Sequence, residues 1–493
     1  MKAIISVFAS CFALLFGFAQ EGLPEDYLSK EFHKSRRDAL RVNMPANSVA
    51  VFFANPVRNR ANDVDYIYHQ DPNFYYLTGY KEPHAVLVIF SETQTAAESG
   101  VSYNEKLYVQ QRNLKAEQWT GTRLGVDGAK EQLGFDQAFV GEAFLDSGID
   151  FTSYDKVMYF GFRDDYRNTR SKSDLYDLIQ SFKTQIKLIN DYTIENKTDD
   201  IEVDANANVE AETVKTDTRS LSRLMAQLRE VKTPEEMVLL KKAVRISAMG
   251  QREIMKAMHP GMSEAEVQGV HEFIYKTYGS EYEGYPSIVG AGNNGCVLHY
   301  IENNKMKVEN DLVLMDLGAE YHGYTADVTR TIPANGKFNK EQRAIYDIVY
   351  QAQEAGIAAT IVGNYMSSPD GAAREVIYQG LIDLGIAKNK TDARQYFPHG
   401  TSHHIGLDVH DPGTYGALKV NMVITVEPGI YIPDGSDCDP KWHGIAVRIE
   451  DDILITGDGP VNLSAEAPRT LREIEKLMKE KSVLGQLKLP KLD

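Results

Sequence analysis

The chain has 493 residues, of which 43% are hydrophobic and 25% are charged, and its formal net charge is −17. This length is sufficient for two or three domains with well-developed cores. Lysine and arginine form no basic block, so the composition argues against a protein that binds nucleic acid through a basic surface.

The first residues have the pattern of an export signal. Lys2 precedes an apolar run over residues 3–16, and the small-x-small sequence GFA predicts cleavage after Ala19. The run is too short to span a bilayer comfortably. We therefore predict a signal peptide over residues 1–19 and a periplasmic or secreted protein. An ordinary buried helix and a lipid anchor at Cys11 are the alternatives.

Removal of this segment would leave Cys296 and Cys438 as the remaining cysteines. Two thiols make no disulfide framework, so stability must come from packing of the core. The sequence does not decide whether these two thiols pair.

Residues 20–216 alternate apolar strand patterns with polar helical patterns, which is typical of an α/β domain with its own core. The predicted strands cover residues 49–53, 85–90, 106–110 and 156–160, and the predicted helices cover residues 27–41 and 171–182. From residue 195 to residue 218 the chain becomes polar, which predicts a domain boundary.

Residues 217–475 form the second predicted domain, and residues 476–493 form a tail. The predicted helices cover residues 233–258, 263–278, 339–360 and 368–384, with strands up to residue 332 and from 403 to 455. The first helix starts at the capping-box sequence TPEE, with Pro234 at the first helical position. The order helix–strands–helix–strands predicts an α+β domain of two related halves.

Two aspartates lie within the apolar stretch LVLMDLGAEYHGYTADVTRTI. If this hairpin turns at Tyr321–His322, Asp316 and Asp327 lie directly opposite each other, with Cβ atoms roughly 5 Å apart. Two carboxylates at that distance among apolar side chains would repel strongly unless a cation or a shared proton intervened. We interpret the pair as a site, although two ordinary turn aspartates would also explain the hairpin taken alone.

A second group of polar residues follows in the C-terminal half. The segment FPHGTSHHIGLDVHDPG contains four histidines, and Glu427 and Glu450 stand at the ends of apolar strand patterns. A charged residue inside such strands is rarely buried unless it is paired or bound to metal. Each glutamate taken alone could be structural. Together with the two aspartates and a histidine, they favour a metal site.

Four motifs together resemble the pita-bread metallopeptidases: DLGAEYHGYTADVTRT, HGTSHHIGLDVHD, VEPGIY and RIED. This family includes aminopeptidase P, prolidase and methionine aminopeptidase. The resemblance implies a pita-bread catalytic domain with pseudo-two-fold symmetry. It also implies a dinuclear metal site, whose ligands fall on Asp316, Asp327, His403, Glu427 and Glu450.

The N-terminal segments DYIYHQDPNFYYLTGYKEPHAVLVIF and LKAEQWTGTRLG resemble the N-terminal domain of aminopeptidase P. The similarity therefore covers most of the mature chain. Asn73 is a departure, because close relatives often carry aspartate at that position, so no contact between this residue and substrate is inferred.

The resemblance implies roles for further side chains around the metals. Two histidines would flank the scissile bond, and Glu427 would act both as a ligand and as the base that orients the bridging water. Other side chains would form a pocket for proline. The two histidines are His299 and His410, the pocket residues are His399, Tyr431 and Arg448, and Trp119 would cap the cleft from a neighbouring subunit. We interpret His404 as structural.

The site residues predict metal-dependent hydrolysis by a hydroxide that bridges two divalent ions, and the resemblance implies that the bond hydrolysed is the N-terminal Xaa-Pro bond of peptides. Four carboxylates and one imidazole favour Mn²⁺, with Co²⁺, Fe²⁺ or Zn²⁺ as alternatives, over a thiolate-rich structural zinc site. The predicted partners are peptides with proline at the second position, and relatives imply a homodimer or homotetramer. A prolidase that cleaves Xaa-Pro dipeptides and an inactive pita-bread binding module are the alternative functions.

The sequence GAGNNG at residues 290–295 fits the pattern of a dinucleotide-binding loop. Such a loop must join a strand to the N-terminus of a helix. Residues 296–300 are predicted as a strand, so we expect no nucleotide to bind here.

Overall fold

The computed structural model describes residues 26–96, 99–189, 192 and 214–485. The predicted signal peptide, Cys11, residues 195–213 of the polar boundary stretch and residues 486–493 of the predicted tail lie outside this part of the chain. Within it, no helix combines the length and the apolar character needed to cross a membrane.

In the described residues, the N-terminal domain is built on one mixed sheet flanked by helices. Its strands are β1 (Ser48–Phe53), β2 (Asn59–Ala61), β3 (Val64–Asp65), β4 (Val86–Thr95), β5 (Ser102–Val109), β6 (Ala138–Val140), β7 (Lys156–Tyr159) and β8 (Thr216–Asp217), and its helices are α1 (Lys30–Asn43), α2 (Pro72–Thr78), α3 (Leu114–Thr120), α4 (Gly125–Glu131), α5 (Glu142–Leu145) and α6 (Leu175–Gln185). The sheet order is β6-β5-β4-β1-β7-β8, and β2 pairs only with β3. The apolar strand β1 pairs with β4 and β7 and lies inside the sheet, as its continuous apolar run predicts.

The C-terminal domain repeats the order of paired helices followed by strands. Its helices are α7 (Ser220–Arg229), α8 (Pro234–Ala257), α9 (Glu264–Thr277), α10 (Lys340–Ala359), α11 (Ser368–Asp383), α12 (Lys390–Ala393) and α13 (Leu471–Leu477). Its strands are β9 (Tyr282–Glu283), β10 (Ile288–Ala291), β11 (Leu312–Asp316), β12 (Ala319–Tyr321), β13 (Tyr324–Thr325), β14 (Thr329–Pro333), β15 (Val423–Val426), β16 (Gly429–Ile432), β17 (Ile445–Arg448), β18 (Asp451–Thr456) and β19 (Gly459–Asn462). Helices α8 and α9 precede the first strand set, and α10 and α11 precede the second, as the element order predicts.

Capping residues set the starts of the two longest helices. The side chain of Thr233 accepts a hydrogen bond from Glu236 N, and the carboxylate of Glu236 accepts one from Thr233 N, which completes the predicted capping box of α8. Asn339 and Gln342 form the same arrangement at the start of α10. Both helices therefore begin where these short polar residues satisfy the first free N–H groups.

The aspartate hairpin turns one residue later than predicted. Its central residues are His322 and Gly323, with φ of 51° and 88°, and Tyr321 pairs with Tyr324 across the turn. A tight two-residue hairpin turn needs φ above zero at both central positions. Glycine adopts such a φ without strain, whereas a bulky residue such as Tyr321 does so only at a cost.

The shifted register separates the two aspartates along the sheet but keeps them close in space. Asp316 pairs with Thr329, so the predicted direct pairing of Asp316 with Asp327 was wrong. The ladder is interrupted between β11 and β12, where a Cβ added to Gly318 would lie 2.6 Å from Tyr285 Cε1. Glycine at position 318 therefore leaves the space in which the Tyr285 ring approaches both aspartates.

The glycine-rich sequence after β10 does not lead into the predicted strand. Residues Gly292–Cys296 form a short 3-10 helix, and residues 297–300 contain no strand. A Cβ added to Gly290 would lie 2.7 Å from Gly295 N, so the chain curls back on itself at this point. This close backbone approach explains why the prediction of a strand over residues 296–300 was wrong.

The strands of the second set begin later than predicted. Residues 403–422 form a loop with isolated bridges at His404 and Ala417, and the first strand begins at Val423. Within this loop, the backbone N–H of Asp408 donates a hydrogen bond to Asp411 Oδ1 at 3.2 Å and not to a neighbouring strand.

The two domains share one buried apolar cluster. It includes Tyr75 and Leu77 of α2, Leu240 of α8, Tyr324 of the aspartate hairpin and Leu407. Burial of these side chains holds the N-terminal domain against the catalytic domain. The contact includes the loop over residues 403–422.

The two described cysteines do not pair. Cys296 and Cys438 are free, partly buried thiols. This part of the chain therefore relies on core packing rather than on a disulfide.

Candidate metal centre and active site

A cavity of about 400 Å³ lies in the catalytic domain, with walls from both strand sets. Most of the predicted site residues line it. They are His299, Asp316, Asp327, His399, His403, His410, Glu427, Arg448 and Glu450, together with Leu298, Gly400, Ser402 and Tyr415. The tertiary structure therefore gathers all five predicted metal ligands at one cavity.

Three of the predicted ligands lie within reach of a common cation. Asp327, His403 and Glu450 each offer one ligand atom, and these atoms lie within 4.8 Å of one another. Glu450 is fixed between β17 and β18, since its N donates to Thr329 O at 3.1 Å and its Oε2 accepts from Thr329 Oγ1 at 2.6 Å. The backbone N of Asp327 donates to the buried carboxylate of Asp452 at 3.1 Å.

The imidazole of His403 presents Nε2 to the carboxylates. Its Nδ1 lies 3.0 Å from the carbonyl oxygen of His404, and a carbonyl can only accept, so Nδ1 carries a hydrogen. Nε2 lies 3.4 Å from Asp327 Oδ2 and 3.6 Å from Glu427 Oε1. A carbonyl that fixes the ring in this way is the usual partner of a metal-binding histidine.

The hydroxyl of Tyr285 bridges the two aspartates. It lies 2.5 Å from Asp316 Oδ1 and 2.6 Å from Asp327 Oδ1. Burial and the charges of both aspartates hold the pKa of Tyr285 well above its usual range, so the hydroxyl keeps its proton. Sequence reasoning missed this residue, because a tyrosine ahead of an apolar strand carries no signal that distinguishes it from core tyrosines.

The clustered carboxylates disfavour their own ionisation. Burial and the charge of Asp316 raise the pKa of Asp327 to about 6, and burial raises the pKa of Glu427 to about 7. Burial and the charges of Asp327 and Glu427 hold the pKa of Glu450 well above its usual range. Buried carboxylates in this state need protons or cations nearby.

Two basic side chains offset part of the negative charge. Burial lowers the pKa of His403, but its interactions with Asp327 and Glu427 outweigh burial and raise this pKa to about 9. Arg448 Nη2 lies 2.5 Å from Asp316 Oδ2, and it holds the pKa of Asp316 below its usual range in spite of burial. One guanidinium and one imidazole cannot neutralise four carboxylates, so the site remains attractive to cations.

The donor set fits divalent cations. Four carboxylates and one imidazole nitrogen are oxygen-rich, hard ligands without a thiolate, and they match the preferences of Mn²⁺ and similar ions. The four negative charges of the carboxylates balance the four positive charges of two divalent ions. Asp327, His403 and Glu450 would hold one ion, and Asp316 and Glu427 complete the set around the same cavity.

The predicted proline-pocket residues form a hydrogen-bonded group beside the metal ligands. His399 Nε2 lies 2.8 Å from Tyr431 Oη, and Arg448 Nη1 donates to the same oxygen at 3.0 Å. Tyr431 is buried behind this pair. His299 and His410 are exposed at the mouth of the cavity, where each could contact a peptide.

The sequence matches two family models. Residues 238–457 match metallopeptidase family M24, and residues 33–148 match the aminopeptidase P N-terminal domain. The Xaa-Pro aminopeptidase of Escherichia coli is 36% identical over 468 residues, which cover 92% of this chain and 98% of that protein. The chain belongs to the aminopeptidase P family.

Other members of the aminopeptidase P family are similar over most of their length. The Xaa-Pro aminopeptidase of Haemophilus influenzae is 33% identical, with 92% of this chain and 98% of that protein covered. A solved structure of Escherichia coli aminopeptidase P with the inhibitor Pro-Leu has a TM-score of 0.78 and 35% identity, over 92% of this chain and 98% of that chain. These matches confirm the predicted fold, an α/β N-terminal domain with an α+β pita-bread catalytic domain.

Four residues singled out in the sequence do not line the cavity of this aminopeptidase P family member: Tyr431, which is buried behind His399 and Arg448, and Trp119, His404 and Asn73. Trp119 is 87% exposed on α3 of the N-terminal domain, so its role as a cap on a neighbouring subunit stays a prediction. His404 is buried and packs edge-on against Tyr415 at 5.3 Å, which is consistent with a structural role. Asn73 Oδ1 accepts a hydrogen bond from Arg229.

We expect Tyr285→Phe to lower metal affinity and kcat by roughly 10-fold, the usual effect of losing a partner that orients metal ligands. The ring would remain, but neither aspartate would receive the phenolic hydrogen bond. Titration against a chromophoric chelator measures the affinity. Tyr278→Phe, which alters a half-exposed tyrosine at the end of α9, is the matched control. Unchanged metal affinity in the Tyr285 variant would contradict an orienting role.

Proposed function

We propose that this protein is a metal-dependent aminopeptidase that hydrolyses the N-terminal Xaa-Pro bond of peptides. The observation that carries the proposal is the convergence of four carboxylates and His403 on one cavity, with His299 and His410 at its mouth. Relatives of similar length and domain order are named Xaa-Pro aminopeptidases, which supports the choice of substrate.

Asp316, Asp327, His403, Glu427 and Glu450 would hold two divalent ions. Such ions, when bound, polarise a scissile carbonyl and make water more acidic. Glu427 is suited to accept a proton from the attacking water, because its carboxylate lines the same cavity as the other four ligands. Of the ions that the donor set admits, we propose Mn²⁺.

The histidines at the mouth would act on the substrate itself. His410 and His299 would stabilise the developing oxyanion and pass a proton to the departing proline nitrogen, which lacks its own N–H before cleavage. Arg448, Tyr431 and His399 would form the wall against the pyrrolidine ring. Their hydrogen bonds hold this wall rigid, and a rigid wall suits a residue whose φ is fixed near −65°.

Two peptides test which substrate the protein hydrolyses. A tripeptide Xaa-Pro-Xaa and a dipeptide Xaa-Pro are each incubated separately with the Mn²⁺-loaded protein. We expect release of the first residue from the tripeptide, with the remaining Pro-Xaa identified by mass spectrometry. Cleavage of the dipeptide alone would identify a prolidase instead. Binding of both peptides without cleavage of either would identify an inactive pita-bread binding module.

We also propose that the protein is exported, with cleavage after Ala19, and that it forms a homodimer or homotetramer. The apolar run over residues 3–16 supports export. Trp119 is 87% exposed on α3, which leaves its side chain accessible to a second subunit. N-terminal sequencing of the mature protein tests the cleavage site, and light scattering tests the oligomeric state.

A further inference from the structure

Arg229 lies at the junction of three segments. It is the last residue of α7 and is 1% exposed. Its Nη1 donates to Asn73 Oδ1 at 2.8 Å, which reaches α2 of the N-terminal domain. Its Nη2 donates to Asp408 Oδ2 at 2.9 Å and also to Asp411 Oδ1. One buried guanidinium therefore connects the N-terminal domain to the loop over residues 403–422.

Asp411 closes part of that loop into a ring. Its carboxylate accepts hydrogen bonds from Lys232 Nζ at 2.8 Å and from Asp408 N at 3.2 Å, in addition to Arg229. Its own N donates to His404 O at 2.9 Å. The ends of residues 404–411 are thus held together, with Asp411 as the common point.

The same ring carries two residues of the proposed active site. His410 immediately precedes Asp411, and His403 immediately precedes His404. The rings of His403 and His410 lie 4.2 Å apart. A displacement of the Asp411 carboxylate would therefore move His410 relative to the metal ligands.

The junction contains ion pairs between buried side chains. Arg229 and Lys232 are two cations, and they face the two anions Asp408 and Asp411. The amide of Asn73 accepts from Arg229 without adding a charge. The carboxylate of Asp71 also lies near Arg229 and Asp408, so an aspartate at position 73 would add a further negative charge beside one guanidinium.

We propose that Arg229 is a positioning residue that transmits the docking of the N-terminal domain to His410. It ties α2 to the ring of residues 404–411, so the placement of His410 against substrate depends on the contact between the domains. The expected fall in kcat rests on the proposed peptidase function. The expected effect on the structure of residues 404–411 does not.

The test compares Arg229→Lys and Asn73→Ala with wild-type protein, all loaded with Mn²⁺. Lysine keeps the charge but cannot bridge Asn73 and both aspartates. Asn73→Ala removes only the bond to the N-terminal domain and leaves the ion pairs. Because small misplacements of catalytic groups are costly, we expect kcat on the tripeptide to fall about 30-fold for the first variant and about 5-fold for the second. KM and bound metal should stay within about twofold, since neither change touches substrate or ligands.

Arg343→Lys is the matched control. Arg343 of α10 pairs with Glu475 of α13 and donates to Phe338 O at 3.3 Å, and none of these partners belongs to α2 or to the loop over residues 403–422. Its substitution should lower the melting temperature without changing kcat. If kcat fell in the control variant as much as in the Arg229 variant, the loss would be an effect of general destabilisation, and the proposal would be overturned.

Amide hydrogen exchange provides a readout that needs no activity. We expect faster exchange over residues 404–411 in the Arg229 and Asn73 variants, and unchanged exchange there in the Arg343 variant. Unchanged exchange in this loop would overturn the proposal even if kcat fell. If exchange changes as expected in the variants but the wild-type protein cleaves no Xaa-Pro peptide, the positioning role stands and the proposed function fails.

Discussion

Asp327→Asn is expected to abolish metal binding and peptidase activity together. The substitution keeps the shape of the side chain but replaces the charged carboxylate of one of the three ligands within 4.8 Å of one another by a neutral amide. We expect kcat/KM to fall by on the order of 10³-fold or more, because the step that activates water and carbonyl depends on the bound ions. Elemental analysis of the purified protein and a tripeptide assay measure the two losses.

The same variant should change stability with opposite signs in the two states of the site. Without metal, Asp327 is a buried carboxylate beside Asp316, and removing its charge relieves repulsion, so the melting temperature should rise. With Mn²⁺ present, the wild-type protein gains binding free energy that the variant lacks, so the variant should melt at the lower temperature. A variant that melts above the wild-type protein without metal and below it with Mn²⁺ is the result expected for a metal ligand.

Asp347→Asn is the control for this pair of measurements. Asp347 is an exposed aspartate on α10. Its substitution should change neither metal content nor the response to Mn²⁺. Full metal content in the Asp327 variant would show that Asp327 is not a ligand.

Metal removal is expected to make stability depend on pH in a defined direction. Dialysis against a chelator should abolish activity, and added Mn²⁺ should restore it. In the stripped protein, the free energy of unfolding should fall as pH rises from about 5 to about 9, because the site holds protons that the unfolded chain has already released. Thermal melts of stripped and loaded protein across this range measure the effect.

The direction follows from two pKa values. The pKa of Glu427 is raised from 4.5 to about 7, so between these values the folded chain binds the extra proton. The pKa of His403 is raised from 6.5 to about 9, which extends the same sign to higher pH. Each group contributes stability that is complete below its unfolded pKa and is lost as pH rises through its folded pKa.

Bound metal should reverse this dependence. The ions compete with protons for the same ligands, so metal affinity rises with pH. The gap in melting temperature between loaded and stripped protein should therefore widen from pH 6 to pH 8. A constant gap over this range would contradict a site of shared buried carboxylates.

Elements that depend on local chemistry were predicted accurately. Helix α8 begins one residue after Thr233 and α10 one residue after Asn339, because a capping side chain and the first turn of a helix are neighbours in sequence. The identities of the five predicted metal ligands came from short motifs that resemble those of the family, with four of the ligands at or near strand ends and His403 in a loop. The structure places all five at one cavity.

Two features were missed, one that depends on the chemistry of a turn and one that depends on a contact between distant residues. The register of the aspartate hairpin was wrong by one turn position, because Gly323 rather than Tyr321 accepts a positive φ. The bridging role of Tyr285 requires a glycine at position 318 to make room for the ring. Neither the position of the turn nor the contact of Tyr285 with the aspartates leaves a periodic pattern in the sequence.

The sequence by itself determined the class of fold, the helices that carry their own caps and the chemical types of the site residues, since these follow from local pattern and motif. Only the tertiary structure decided that Tyr285 joins the two aspartates and that Arg229 joins the N-terminal domain to the histidine loop. Both depend on side chains whose partners lie far away along the chain. Their distances are set by how sheets and helices pack, which no short stretch of residues encodes.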